Sequence, residues 1–72
     1  MIDYAPFWNT LKKSEETTYT LINKYNISPN TITKLRNDKP ITTTTINNLC
    51  NILHCKVEDI IRHYPDQDNS DL

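Results

Sequence analysis

The chain has 72 residues, 36% of them apolar, and a formal charge of −1, which suits one small domain with a thin core. No run approaches the ~20 apolar residues of a membrane span, and the start MIDYAPFW lacks the basic and apolar regions of a secretory signal. A cytoplasmic protein with no membrane segment is expected, and its two cysteines, Cys50 and Cys55, are then reduced packing residues.

The first predicted helix runs from about Pro6 to Lys13, with proline suited to a first turn and Phe7, Trp8 and Leu11 forming a one-sided stripe. Trp8 reads as a core or interface aromatic. The second helix runs from about Thr18 to Tyr25, capped by Thr17 and burying Leu21, Ile22 and Tyr25. Asn26 ends it, because asparagine tolerates the left-handed conformation better than other non-glycine residues. The third helix starts at Ser28-Pro29, an N-cap followed by proline at the first position, and ends near Arg36 or Asn37. Only Ile32 and Leu35 on it are large and apolar.

Asn37-Asp38-Lys39-Pro40 is a loop by composition. A fourth helix, capped by Thr42, places Ile46, Leu49, Cys50 and Leu53 on one face, and His54 stands where a helix-ending residue belongs. A fifth carries Val57, Ile60, Ile61 and Tyr64 at the same spacing, with Glu58 and Asp59 suited to its first turn, and Pro65 stops it. Residues 1–65 are thus one domain, and 66–72 read as a disordered acidic tail. Strands are not expected. The β-branched run Ile41 to Ile46 is the one rival by propensity, and no hairpin partner lies near it.

Charge is uneven along the chain. Residues 9–45 hold six cations against three carboxylates, net +3, whereas residues 46–72 hold two against five, net −3. The basic half contains the second and third helices and the turn Asn26-Ile27-Ser28, which together have helix-turn-helix form. Such a pair sets its second helix in the DNA major groove while the first crosses the backbone. A groove-filling helix needs a narrow apolar seam, here Ile32 and Leu35, and an outward polar face, here Pro29, Asn30, Thr33 and Lys34 with Thr31 beside them.

The pattern Leu21-Ile22-x-x-x-Asn26-Ile27-Ser28-x-x-Thr31-Ile32-x-x-Leu35 resembles the signature of the phage Cro/repressor-like, or XRE-type, helix-turn-helix proteins. Leu49-Cys50-x-x-Leu53-His54-Cys55-x-Val57-x-x-Ile60 is similar to that family's fourth and fifth helices, and Tyr4-x-Pro6-Phe7-Trp8-x-x-Leu11 to the opening of a short bacterial subgroup. The resemblance spans about residues 4–64. It implies an all-α, compact five-helix lambda-repressor-like domain acting as a DNA-binding transcriptional regulator, often as a homodimer. Where the family usually has glycine this chain has Asn26 and His54, at a cost of about 1 kcal/mol each. Lys56 replaces the family's small polar cap, so the fifth helix starts poorly capped.

Contacts are expected in two classes. Asn30 can pair bidentately with adenine, Lys34 can donate to guanine, Thr31 and Thr33 can meet a thymine methyl, and Pro29 can pack on a base or sugar. Phosphate contacts are expected from Thr17 and Thr18, from Asn37 and Lys39, and from Thr42 and Thr43 at a helix N-terminus. Arg36 reads as a surface charge. The alternative is a protein-interaction module on the same fold, an antitoxin or adaptor with weak or no DNA binding. Cys50, His54, Cys55 and His63 match no common zinc spacing. The sequence holds no nucleophile–base pair, carboxylate dyad or glycine-rich phosphate loop, so no enzyme, metal, cofactor or small-molecule ligand is expected. The expected partner is double-stranded DNA. A homodimer, formed on DNA or before it, would use a small patch marked by exposed Trp8, Ile61 or Tyr64.

Overall fold

A computed structural model describes residues 1–66. In chain order it holds β1 (Ile2–Asp3), α1 (Ala5–Lys13), α2 (Thr18–Asn23), α3 (Pro29–Arg36), α4 (Thr43–Leu53), a single 3-10 turn (Val57–Asp59) and β2 (Arg62–His63). The helical class and the central helix-turn-helix match the sequence reading. Each helix contributes buried side chains to one core of Tyr4, Phe7, Leu11, Leu21, Ile27, Ile32, Leu35, Leu49, Leu53 and Ile60. Ile46 and Cys50, expected on the buried stripe of α4, are half-buried at its edge.

The caps follow the residues. Thr17 accepts from the Thr20 amide and Thr20 Oγ1 accepts from the Thr17 amide, a reciprocal cap at the start of α2. Ser28 accepts from the Thr31 amide and Thr42 from the Thr45 amide, so α3 and α4 each begin with a satisfied donor. Asn26, Asp38 and His54 adopt φ of 61°, 55° and 54°. The chain has no glycine, so these three take the left-handed turns that would otherwise use one.

Two corrections concern the ends of the chain. The expected fifth helix is only the Val57–Asp59 turn, after which the backbone becomes extended. Lys56 supplies no side-chain cap; its amide donates instead to Asp59 Oδ2 at 3.0 Å. The β-branched Ile60 and Ile61 favour leaving the helix. The segment that follows pairs antiparallel with Ile2–Asp3, in register Ile2 with His63 and Asp3 with Arg62. Strands therefore occur, at the chain ends and not at Ile41–Ile46, where the chain enters α4. Arg62 donates to Asp3 Oδ2 at 2.7 Å and the Tyr64 hydroxyl donates to the same oxygen at 3.3 Å. Asp3 Oδ1 accepts from the Ala5 amide, the first N–H of α1, whose N-cap residue Tyr4 supplies no side-chain cap. Asp66, at the head of the expected acidic tail, lies 2.8 Å from the Met1 ammonium; the rest of that tail lies outside the described residues.

Candidate nucleic-acid interface

The candidate interface is built by what holds α3 from behind. Leu35 is fully buried and Ile32 is 4% exposed, while Leu21 from α2 and Ile27 from the turn close the same core. Pro29 presets the first turn and carries no N–H that a helix start would leave unpaired. With the two aliphatic anchors turned inward, the 3.6-residue period puts Pro29, Asn30 and Thr33 on the exposed side.

The outward residues are not equally free. Asn30 is exposed at the first turn. Thr33 is exposed, and its hydroxyl donates back to the Pro29 carbonyl at 3.2 Å, leaving its methyl and oxygen lone pairs outward. Thr31 is half-buried, and its hydroxyl lies 3.0 Å from Ser28 Oγ, within the cap. Lys34 is half-buried in a shallow cleft with Thr31, Pro40, Ile41, Thr42 and Thr45. That cleft brings its ammonium stem toward the first turn of α4.

A family model described as a Cro/C1-type HTH DNA-binding domain matches residues 7–66. The chain belongs to the Cro/C1-type helix-turn-helix family. This Cro/C1-type domain is also similar to a crystal structure of the transcriptional regulator VanUg, with a TM-score of 0.79 and 25% identity over 90% of this chain and 87% of that one. Among curated proteins, none matches it.

In this Cro/C1-type domain the remaining expected contacts flank α3. Thr17 and Thr18 open α2, with Thr17 exposed and Thr18 half-buried. Thr42 and Thr43 are exposed at the start of α4, where Thr42 Oγ1 already serves the Thr45 amide. Asn37 and Lys39 are exposed in the α3–α4 loop. The Asn37 side-chain amide donates to the Thr33 carbonyl at 2.9 Å, closing the end of α3 with one of its two protons.

Three supporting features escaped the sequence reading. The Arg36 guanidinium lies 5.1 Å from the centre of the Trp8 ring, so it is not an ordinary surface charge. Trp8 meets Phe7 edge to face at 4.8 Å, which ties the end of α3 to the core through α1. Glu16 accepts from the Thr20 and Tyr25 hydroxyls at 2.9 and 3.0 Å, and these two donors hold its carboxyl below the usual carboxylate range. The buried Tyr4 reaches the α3–α4 loop through its amide and its hydroxyl. The Arg36–Trp8 and Tyr4–Lys39 contacts join residues far apart in sequence, where periodicity carries no signal.

Proposed function

We propose that this chain is a sequence-specific DNA-binding transcriptional regulator whose α3 enters the major groove. One observation carries the reading: within a helix-turn-helix, α3 buries Ile32 and Leu35 and leaves Asn30 and Thr33 exposed. The likeness to the transcriptional regulator VanUg supports regulation as the purpose of that binding. Asn30 pairs with adenine N6 and N7, Thr33 offers its methyl to thymine, and Lys34 donates to guanine or falls back to a phosphate. Pro29 packs against a base or sugar, and Thr31 mainly shapes the first turn. The openings of α2 and α4 and the Asn37–Lys39 loop bind phosphates on either side, which fixes register without reading sequence.

The net charge of −1 sets a limit on affinity from long-range attraction, so local placement of donors must supply the backbone contacts. The test is selection of bound sequences from random duplex DNA, followed by a salt titration of the winner. We expect a defined site, and with about four to six phosphates neutralised per subunit a steep linear fall of log affinity with log salt. Two half-sites about one helical turn apart among the winners indicate a dimer on DNA. No enrichment, or binding that ignores salt, overturns the proposal and favours a protein-interaction module.

A further inference from the structure

We propose that Tyr4 is a positioning residue for DNA binding: it touches no DNA and sets the α3–α4 loop at the height where Lys39 meets a phosphate. This rests on the loop being a phosphate contact, as proposed above.

The geometry is specific. Tyr4 is 2% exposed, and its phenol donates to the Lys39 carbonyl at 2.7 Å, 35 residues along the chain. Its amide donates to Asp38 Oδ1 at 3.3 Å. One residue therefore grips two consecutive loop residues, one by its carboxylate and one by its backbone. Asp38 is also the loop residue with positive φ, at 55°. A non-glycine residue keeps that conformation only where its surroundings hold it, and the Tyr4 amide is the partner that holds its side chain. The Lys39 amide, in turn, donates to the Lys34 carbonyl at 2.9 Å, so the same loop closes the end of α3. Tyr4 itself is fixed on both sides. β1 precedes it and pairs with β2, and its own carbonyl accepts from the Trp8 amide as α1 begins. The loop residues Asn37, Asp38, Lys39 and Pro40 are all exposed. Their position is thus set by the strap beneath them more than by packing of their own.

The test uses a double-mutant cycle on the site found by selection, with Tyr4→Phe, Lys39→Ala and the pair. Tyr4→Phe keeps the buried ring and removes the hydroxyl that bonds the Lys39 carbonyl and also meets the Ile41 backbone. We expect it to weaken binding about threefold to tenfold, to lower the salt slope by about one phosphate contact, and to speed amide exchange at Lys39. In the Lys39→Ala background the same substitution should change affinity little. A purely structural role would lower stability without this coupling and without moving the salt slope. If Lys39→Ala weakens binding while Tyr4→Phe does not, or if the two effects simply add, the positioning role is wrong and the phosphate reading survives. If Lys39→Ala binds like the parent, the loop makes no such contact and both readings of it fall.

Discussion

Arg36 and Trp8 show how α3, the proposed recognition helix, is held in place from the side of α1. A guanidinium over an indole at an exposed site contributes about 0.5–1 kcal/mol, and here it clamps the last turn of α3 onto α1. We expect Arg36→Ala to lower stability by about that amount and to change the emission of Trp8, the sole tryptophan, as measured by denaturant titration followed by fluorescence. Leu35 belongs to a different class. It is fully buried beneath the same helix, so Leu35→Ala removes transfer energy and leaves a cavity, about 2–5 kcal/mol in all. For a domain this small that is a large share of total stability. The variant should be substantially unfolded at room temperature by circular dichroism.

The helices were legible because their ends carry explicit chemistry. Thr17, Ser28-Pro29 and Thr42 are strong start signals, and each caps the helix expected of it. Asn26 and His54 mark turns with positive φ as their residue types suggest, while Asp38 does so without having been singled out. The substitution His54→Gly tests this scale. It relieves a left-handed residue that carries a Cβ, offset in part by a more flexible unfolded chain, so a gain of about 0.5–1 kcal/mol should appear as a higher Tm. What the sequence did not disclose is the meeting of its ends. Two-residue strands have no periodicity to detect, and Asp3 and Arg62 are 59 residues apart. The apolar spacing from Val57 to Tyr64 suggested a helix, but pairing with β1 and the weak start at Lys56 won. The exposure of Pro29, Asn30 and Thr33 follows from α3 directly and so was readable, whereas Thr31 and Lys34, expected beside them, are half-buried. Tyr4 and Trp8, which support that helix and its loop, act through tertiary contacts that spacing cannot reveal.

Across the whole molecule, the Asp3–Arg62 pair joins the chain ends next to Tyr4, which in turn holds the α3–α4 loop. The Arg62 guanidinium holds the Asp3 carboxyl below the usual carboxylate range; the Ala5 amide and Tyr64 hydroxyl act in the same direction, and burial opposes them. Because the folded state favours ionised Asp3, its stabilisation is present above the ordinary aspartate range. It is lost as pH falls through that range toward the depressed value. Denaturation curves across acidic pH should therefore show stability falling with pH. Asp3→Asn should start lower at neutral pH and lose less on acidification. At the same scale stands the proposed use of the molecule, in which α3 reads bases with its exposed face. The most direct measurement is competition binding of Asn30→Ala against the parent on the selected site and on variants altered at each base pair. We predict that Asn30→Ala loses about 1–3 kcal/mol of discrimination at one adenine-bearing pair and keeps its salt-dependent binding to unrelated DNA. An Asn30→Ala protein with the parent's preference at every position would contradict the account.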